Sequence, residues 1–519
     1  MIINIAIAVL LCAWLIIKLR FELQMFQQNS YRNERYAKWL KKNIFAKERI
    51  FEIIPIWIIA IVIFFNFNNL WLLSVVPFYA FLAYKLLTKK TKLKLNFTNR
   101  AKRLFFTSLG IVAIVSVLYA LFSTTWLMSI IFSATICAFL TFAILPLSNI
   151  ILKPVENHIN NFYINDAKRI LSEHKDLIII GITGSYGKTS TKHFLETILS
   201  QKYNVLMTPG SFNTTMGVVR TIREYLKPTH QIFICEMGAK QIGDIKEICD
   251  LVNPSIGILT SVAEQHLDTF KNIENVRKTK FELIDSLPND GLAILNGDYE
   301  IIKNFKINKN AVYYSLEDKG DFVAKDIVYS QSGTEFNFYE KGEKKFSLKT
   351  ELLGDYNVSD ILACIVCAYK MGLTTDQISF GVHKLQAVQH RMEIKVNAAG
   401  IVIIDDAFNS NPKGAKMALQ VLSGFTNQRF VITPGIVELA DRQDYYNEKL
   451  GEQIAESVDM AVLVGKKQTE AIYKGLKNKN YPEEKIYIAS DLMDAANHVY
   501  SIARPGDTIL FENDLPDIY

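Results

Sequence analysis

The sequence predicts an α-helical membrane domain of about five spans, followed by an α/β domain with a glycine-rich phosphate loop and a smaller, Rossmann-like α/β domain. Long uncharged apolar runs are concentrated in the first 150 of the 519 residues. Short apolar strand patterns then alternate with helical patterns, which is typical of parallel sheets covered by helices. The predicted divisions are a membrane domain at 1–150, an amphipathic connector helix at 151–175, a central domain at 176–389 and a C-terminal domain at 390–519.

Five apolar runs are each about long enough to cross a bilayer core, which needs about 20 residues or slightly fewer. They cover residues 2–17, 53–67, 70–87, 104–122 and 126–145. The first run has no basic residue before its apolar core and no small-residue cleavage site after it. We therefore expect a retained helix there and not a cleaved signal peptide.

The loops between these runs predict their orientation. The loops after the first and third runs are rich in lysine and arginine, whereas the connections at 66–69 and 123–125 carry no charge. Basic loops stay in the cytosol, so an odd number of spans places everything after residue 150 there as well. The basic loops also account for the net charge of +6 and can face anionic lipid. The sequence contains no nucleic-acid signature, so no nucleic-acid partner is expected.

Two of the six cysteines form a C-x-x-C at Cys364 and Cys367. Both lie in the helical pattern 361–371, and no second cysteine or histidine pair is nearby in the sequence. We expect small buried residues there, and neither zinc nor redox chemistry.

A glycine-rich loop follows the strand pattern at 177–180 and precedes a helical pattern at 189–201. Phosphate-binding loops occur in this order, because backbone N–H groups and the helix N-terminus surround phosphate oxygens while a lysine neutralises charge. Lys188 and Thr189 take the lysine and magnesium-hydroxyl positions, although the strict G-x-x-x-x-G-K-T spacing would require glycine where the chain has Ile182. The residues predicted to bind nucleotide phosphates are Thr183, Gly184, Ser185, Gly187, Lys188, Thr189 and Ser190.

With this departure from the strict spacing, the glycine-rich loop resembles that of the Mur ligases, the ATP-dependent enzymes that add amino acids to peptidoglycan precursors. Further segments resemble the same family in its order: F-N-T-T-M-G at 212–217, E-M-G-A at 236–239, H-L-D at 266–268 followed by Lys280, L-N-G-D at 295–298, H-R-M-E at 390–393 and D-D-A-F-N-S-N-P at 405–412. The last segment is most similar to the branch that adds D-alanyl-D-alanine. The resemblance extends from about Leu177 to Asp507.

The resemblance implies a reaction and a set of site residues. ATP would phosphorylate a carboxylate, and an amine would displace phosphate from the acyl phosphate. Catalytic roles are implied for Lys188, Lys280, His266 and Arg391, with Lys280 carbamylated, and magnesium binding for Thr189, Glu236 and His266. Nucleotide contacts are implied for Asn296, Asn357, Arg391 and Asp405, and substrate contacts for Asn213, Thr214, Asn409 and Asn411. The implied partners are a UDP- or lipid-linked precursor, the amino substrate, membrane lipid and other wall-synthesis proteins.

The chain also departs from the family. The membrane helices take the place of the family's first domain, which binds the UDP part of the precursor, so either that group is handled elsewhere or the acceptor is lipid-linked. Tyr356, Asp360 and Phe408 stand where the family commonly has histidine, asparagine and tyrosine. The C-terminus, residues 511–519, lacks the usual K-G-S-type ending near the amino substrate, which leaves the added group open.

Several alternatives stay open at this point. One is another Mur-type amide ligase, such as a membrane poly-γ-glutamate synthase or the ligase that amidates lipid-linked peptidoglycan, although the chain lacks the four-cysteine zinc insert of the latter. Another is a P-loop transport or signalling ATPase, which the almost uncharged spans disfavour. A third is an inactive scaffold, which the intact Lys188, Glu236, His266 and Lys280 disfavour.

Overall fold

A computed structural model describes residues 2–43, 50–65, 67, 69–89, 91, 93–121, 126–330, 333–408 and 410–514. The chain divides into two compact units, and the division falls between Asn161 and Phe162. The first unit therefore extends beyond the predicted membrane domain, because the helix Thr141–Ser172 runs through residue 150 without a break. We call the first unit the helical unit and the second, up to Asp514, the ligase unit.

Each predicted apolar run contains at least one helix. In order, the helices are α1 (Ile2–Gln28), α2 (Asn33–Asn43), α3 (Ile53–Phe64), a 3-10 helix (Asn69–Val75) leading into α4 (Val76–Thr88), α5 (Asn99–Leu121), α6 (Trp126–Phe139) and α7 (Thr141–Ser172). Among the described residues, three helices are long and apolar enough to cross a membrane, or four if the bent pair α6 and α7 is one span.

The predicted count of five spans is therefore not confirmed. Helix α3 has only 12 residues, which is about 18 Å of helix. Helices α6 and α7 meet at an angle of 81°. The Thr141 hydroxyl donates to the Ala138 carbonyl (3.0 Å) at this bend, and Pro146 supplies no N–H to the preceding turn. The hydrogen-bond ladder is interrupted where the apolar run changes direction.

Polar contacts gather the two basic segments at one end of the helical unit. The Gln24 amide donates to the Leu93 carbonyl (2.7 Å), and the Gln27 amide donates to the Asn96 carbonyl (2.8 Å). The Arg103 guanidinium forms a two-pronged ion pair with Glu156, at 2.7 and 2.9 Å. The end of α1, the start of α5 and the middle of α7 therefore lie side by side.

A small group of ionisable side chains is buried within the helical unit. Lys18 contacts Glu52 and lies 3.6 Å from Glu22, which in turn accepts a hydrogen bond from the Tyr36 hydroxyl. All four residues are almost fully buried. Buried charges are costly unless they are paired, so this group ties α1 to α2 and to the segment before α3.

The ligase unit begins with a nine-stranded sheet in the order β2-β3-β1-β4-β5-β6-β7-β8-β9. Its strands are β1 (Ile178–Thr183), β2 (Val205–Met207), β3 (Ile232–Glu236), β4 (Ile256–Leu259), β5 (Leu292–Asn296), β6 (Asn310–Ser315), β7 (Phe322–Ser330), β8 (Gly333–Glu340) and β9 (Glu343–Thr350). The sheet is parallel up to β7, as predicted, but β8 and β9 are antiparallel. Only two residues of sequence separate β7 from β8, and two separate β8 from β9, and connections this short join antiparallel neighbours.

Helices cover both faces of this sheet. They are α8 (Lys188–Leu199), α9 (Thr215–Tyr225), α10 (Asp244–Val252), α11 (Leu267–Phe270), α12 (Ile273–Asp285), α13 (Glu300–Lys303), α14 (Asp355–Lys370) and α15 (Thr375–His383). Helices α8, α14 and α15 build a hydrophobic core on one face, and α9, α10 and α12 build a second core on the other. Cys364 and Cys367 are buried in α14 as free thiols.

A second, six-stranded sheet follows in the order β10-β11-β15-β12-β13-β14. The strands are β10 (Glu393–Val396), β11 (Val402–Asp406), β12 (Arg429–Thr433), β13 (Met460–Val464), β14 (Ile486–Ala489) and β15 (Thr508–Glu512), and the helices are α16 (Pro412–Ser423), α17 (Gln443–Ser457), α18 (Glu470–Asn478) and α19 (Leu492–Ile502). Only the β10–β11 pairing is antiparallel among these strands. The parallel strands place the carboxyl ends of β11, β12 and β15 at one edge.

Candidate active site

The glycine-rich loop connects β1, which lies between β3 and β4 in the nine-stranded sheet, to α8. Gly187 has φ +82° and is the N-cap of α8, and a Cβ atom there would collide with the Asp360 carboxylate. Glycine is therefore required at this turn. The Lys188 ammonium folds back and donates to the Gly184 carbonyl at 2.7 Å. Burial, opposed by Glu236 and Asp360, lowers the pKa of Lys188 to about 8.

The rest of the loop is held by the residues that follow β3 and β4. The Thr183 hydroxyl donates to the Met237 carbonyl (2.9 Å), and the Ser185 hydroxyl donates to the Ala263 carbonyl (2.9 Å). The Ser185 backbone N–H donates to the Ser261 carbonyl at 3.0 Å. The side chains of Thr183 and Ser185 are thus used to fix the shape of the loop, and the phosphate contacts predicted for the loop stay a prediction.

Glu236 lies at the carboxyl end of β3, directly beside the end of β1. The Thr189 hydroxyl (3.3 Å) and the Asn213 amide (3.0 Å) both donate to its Oε1. On the other side, the Lys192 ammonium lies 3.0 Å from its Oε2 and also donates to the Gly210 carbonyl at 2.6 Å. Burial alone would raise the pKa of Glu236, but Lys192 and Lys188 outweigh it and lower that pKa.

Two of the predicted metal ligands, Thr189 and Glu236, lie together and offer adjacent oxygen donors, which suit magnesium. The third, His266, contacts the Glu438 carboxylate through its imidazole. Among the described residues, no group of three or more histidine, cysteine or acidic side chains could hold a metal ion. The donor set fits an ion that takes its remaining ligands from phosphates and water, and the metal role of His266 stays a prediction.

Lys280 is buried in α12, with only 2% of its surface exposed. Burial, reinforced by the charge of Lys188, holds the pKa of this amine well below its ordinary value. Burial lowers the pKa of His266, and the Glu438 carboxylate acts in the opposite direction. Lys280 is close enough to His266 for its charge to lower that pKa further. The structure thus keeps Lys280 within electrostatic range of both the loop lysine and His266.

The segment just before β10 contributes Arg391 to the same region. Burial lowers the pKa of Arg391, while the carboxylates of Asp406, Glu236 and Asp360 act in the opposite direction. Its guanidinium stacks over the Phe408 ring at 4.4 Å. Burial raises the pKa of Asp360 well above its ordinary value, against the charges of Lys188 and Arg391. Positive and negative groups from both sheets therefore face each other around the loop.

A second set of contacts joins the two sheets on the His266 side. Glu438 reaches His266, and the Ala440 backbone N–H donates to the Asp268 carboxylate at 2.8 Å. The Arg442 guanidinium and the Tyr446 hydroxyl both donate to the Glu264 carboxylate. The segment 436–446 is thereby fastened to the loop after β4. We call this set of contacts the interdomain clasp.

The Asn296 and Asn357 amides, which are expected to contact the nucleotide, are already hydrogen-bonded within the protein. The Asn296 amide donates to the Thr260 carbonyl (3.0 Å) and accepts from the Asp298 N–H (3.1 Å). The Asn357 amide donates to the Leu353 carbonyl at 2.9 Å. Asp405, expected to contact the nucleotide, lies 2.7 Å from the His390 ring nitrogen. These residues shape the site, and their nucleotide contacts stay a prediction.

Two of the predicted substrate residues are helix caps. The Thr214 side chain accepts from the Gly217 N–H (3.4 Å) at the start of α9. The Asn411 side chain accepts from the N–H groups of Lys413 (3.2 Å) and Gly414 (3.0 Å) at the start of α16. Asn409 lies outside the described residues, and Asn213 is bound to Glu236.

Sequence reasoning missed Lys192, Glu438 and the interdomain clasp. Lys192 lies four residues after Lys188, on the buried face of α8. This helical spacing could have indicated that Lys192 faces the same site as Lys188. Asp360 directly precedes the apolar run 361–368 of α14 and is itself nearly buried. Glu438 has no such signal, because its partner is 172 residues away.

Comparisons with known proteins match this architecture. Residues 182–368 match the Mur ligase middle domain, and residues 390–512 match the Mur ligase domain described as the glutamate ligase domain. The UDP-N-acetylmuramoyl-tripeptide–D-alanyl-D-alanine ligase of Bacillus subtilis (strain 168) is 28% identical over 339 residues, covering 64% of this chain and 72% of that enzyme. The enzyme of the same name from Escherichia coli (strain K12) is 30% identical, covering 57% of this chain and 66% of that enzyme.

Solved structures agree on the fold. The MurF ligase of Thermotoga maritima in complex with ADP superposes with a TM-score of 0.61 at 25% identity, covering 68% of this chain and 80% of that one. A MurF structure from Acinetobacter baumannii gives a TM-score of 0.60 at 24% identity, covering 68% and 77%, and supports the fold alone.

Proposed function

Because the chain belongs to the Mur ligase family of ATP-dependent ligases, we propose that it joins D-alanyl-D-alanine to the peptide of a peptidoglycan precursor. The Bacillus subtilis and Escherichia coli relatives carry this activity in their names. The observation that carries the proposal is the meeting of Lys188, the Thr189–Glu236 pair and Arg391 around one phosphate-binding loop. These groups suit the transfer of a phosphoryl group to a carboxylate.

The proposed reaction has two steps. A carboxylate oxygen of the acceptor peptide attacks the γ-phosphorus of ATP, and ADP leaves. The amine of the dipeptide then attacks the acyl carbon, the C–O bond to phosphate breaks, and the nitrogen loses a proton. Two anions meet in the first step, so Lys188 and Arg391 lower the barrier by balancing their charge. Thr189 and Glu236 would hold a magnesium ion, which supplies further charge to screen the phosphates.

Lys280 is proposed to carry a carbamate. Its amine would attack CO2 and lose a proton, giving an anionic group in place of a cation. The reaction needs a neutral amine, which the lowered pKa of Lys280 supports. The product would lie in the region shared by Lys188 and His266. Lys280 would then serve as an anionic anchor for a second ion.

The interdomain clasp supports a role in protecting the intermediate. An acyl phosphate is hydrolysed by water, so exclusion of water favours ligation. The clasp connects the middle domain to the C-terminal domain through Glu438 and Arg442. We expect the clasp to hold the two domains together while ATP and the acceptor are bound.

The helical unit is proposed to anchor the ligase in the membrane, with the ligase unit in the cytosol. Within the helical unit, contacts between Gln24 and Leu93 and between Arg103 and Glu156 place both basic segments at one end. Helix α3 and the apolar segment after it, Leu70–Thr88, would then leave that end and return to it. This path supports the cytosolic placement of both basic segments.

An acceptor linked to a membrane lipid follows as a finer proposal. Neither Mur domain match extends before residue 182, and the residues before 162 form the helical unit. The bilayer could present a lipid-linked precursor directly to the ligase unit. Equal activity on a soluble UDP-muramoyl-tripeptide and on lipid-linked material would defeat this part of the proposal.

One assay tests the function. Full-length protein in detergent is given ATP, magnesium, D-alanyl-D-alanine and UDP-N-acetylmuramoyl-tripeptide or its lipid-linked form, and pentapeptide product is measured by mass spectrometry. Lys188→Ala should abolish the product, whereas Lys479→Ala, which alters an exposed ion pair with Glu456, should leave it unchanged. ATP hydrolysis without acceptor or dipeptide would favour a transport or signalling ATPase. Absence of any turnover would favour a scaffold for other wall-synthesis proteins and would refute the proposal.

A further inference from the structure

Two carboxylates lie side by side at the carboxyl edge of the six-stranded sheet. Asp406 ends β11 and Glu512 ends β15, and the two residues are direct partners in the parallel register. Ser410, four residues after the end of β11, donates a hydrogen bond from its hydroxyl to the Glu512 carboxylate. We call Asp406, Ser410 and Glu512 the acidic pocket.

Glu512 is only 1% exposed. Its Oε1 accepts the hydrogen bond from Ser410, but its Oε2 is buried and has no hydrogen-bond partner in the part of the chain that the structure describes. A buried carboxylate oxygen without a partner costs free energy. Such a group calls for a ligand or a role, because neither packing nor the sheet requires a charge at this point.

The surrounding charges do not compensate Glu512. Asp406 accepts a hydrogen bond from the Met392 backbone N–H (3.2 Å), and the positive charge of Arg391 lowers its pKa. For Glu512, burial and the negative charge of Asp406 both raise the pKa, and only the Ser410 hydroxyl acts against them. Asp406 and Ser410 remain partly exposed, so a small cation can approach the pair from their side.

We infer that the acidic pocket binds a primary ammonium group of a substrate. An ammonium donates three hydrogen bonds without a fixed coordination geometry, which suits two carboxylates and a hydroxyl. A divalent cation takes six or more oxygen ligands, and the described side chains offer no cluster of that kind. Arg391 links the pocket to the phosphate loop, because the carboxylates of both Asp406 and Glu236 act on its pKa.

The inference rests on the proposed function for the identity of the ammonium. A ligation of this type offers two sources: the amino group of the incoming dipeptide, and a side-chain amine on the third residue of the acceptor peptide. Both present the same chemistry to the acidic pocket. They differ in which substrate loses affinity when its amine is blocked.

The experiment measures binding to the full-length protein in detergent by titration calorimetry, with a non-hydrolysable ATP analogue present. The probes are D-alanyl-D-alanine and its N-acetyl form, and UDP-N-acetylmuramoyl-tripeptide with its side-chain amine free or acetylated. We expect the wild type to bind one free amine at least about tenfold more tightly than its acetylated form. Glu512→Gln should remove this discrimination, while Glu484→Gln, at an exposed site, should keep it.

Each outcome decides the inference. Loss of discrimination on the dipeptide assigns the acidic pocket to the incoming amine, and loss on the tripeptide assigns it to the acceptor. Unchanged discrimination in Glu512→Gln would overturn the inference and leave Glu512 as a neutral acid that only holds Ser410. If Glu512→Gln melts below the assay temperature, Asp406→Asn takes its place. If both variants fail to fold, equal binding of the free and acetylated probes by the wild type would contradict the inference. A protein that discriminates but forms no pentapeptide would refute the proposed function alone.

Discussion

At the scale of single residues, the site depends on which charged side chains are buried and what faces them. Lys188 and Glu236 could be predicted from the sequence, because a short motif places Lys188 at the start of α8 and another places Glu236 at the end of β3. Lys192 could not be assigned in the same way. Its full burial depends on the Glu236 carboxylate, which arrives from a strand 44 residues later. Long-range pairing of this kind leaves little trace in a local pattern.

ATP affinity should depend on the protonation of Lys188. Its pKa is lowered to about 8, chiefly by burial, so the free protein loses this positive charge as the pH rises through that value. We expect ATP to bind progressively more weakly above pH 8, by up to about tenfold per pH unit. Fluorescent-nucleotide titrations between pH 6.5 and 9.5 would measure this. An affinity that stays constant across that range would show that Lys188 does not control binding.

Lys192→Met should destabilise the strands that carry the site. The substitution keeps the length of the side chain but leaves the Glu236 carboxylate buried without its ion pair. We expect the free energy of opening of β1 and β3 to fall by about 3 kcal/mol, as measured by hydrogen exchange. Adding Glu236→Gln should recover part of the loss. Additive effects of the two substitutions would mean that the pair is not coupled.

At the scale of elements, most strands and helices of the ligase unit follow from alternating apolar patterns and from Gly or Asn at their ends. The order of the strands does not: β15, the last strand in the chain, lies between β11 and β12. That insertion brings Glu512 beside Asp406. The sequence could show that the C-terminal ending differs from the family, but only the register shows what stands next to it.

Asn411, which is expected to bind substrate, also has a structural role as the N-cap of α16. It caps α16 through the N–H groups of Lys413 and Gly414 and is nearly buried. Asn411→Ala should lower the stability of α16 by about 1 kcal/mol, whereas Asn411→Ser should preserve the cap. Hydrogen exchange of α16 provides the measurement, and the KM for dipeptide shows any separate substrate role. Equal destabilisation by both substitutions would argue against the cap.

At the scale of the whole molecule, the composition change near residue 150 predicts two regions, but it does not set the boundary. Helix α7 continues through that point to Ser172 because polar residues after 152 maintain helical hydrogen bonds as readily as the apolar ones before it. The number of spans is equally hard to infer from apolar length, since α3 is short and α6 bends into α7.

The proposed topology predicts which positions an impermeant maleimide can reach. Each test protein lacks the exposed Cys12 and carries one new cysteine, in place of Lys41, Lys94 or Lys474. All three lysines are exposed. In intact spheroplasts these three cysteines should remain unlabelled, whereas Thr124→Cys, in the predicted outer connection, should react. Permeabilised cells provide the control, where all four should react. Labelling of Lys41→Cys or Lys94→Cys in intact spheroplasts would contradict the proposed topology.

The central claim is that ATP activates a carboxylate of the acceptor as an acyl phosphate. Acceptor peptide labelled with ¹⁸O in both oxygens of its reacting carboxylate would be incubated with ATP, magnesium, D-alanyl-D-alanine and the full-length protein, and the released phosphate analysed by mass spectrometry. Because the carboxylate oxygen becomes the bridging oxygen and leaves with phosphate, the account predicts one ¹⁸O atom in each phosphate formed. Unlabelled phosphate alongside pentapeptide product would contradict it.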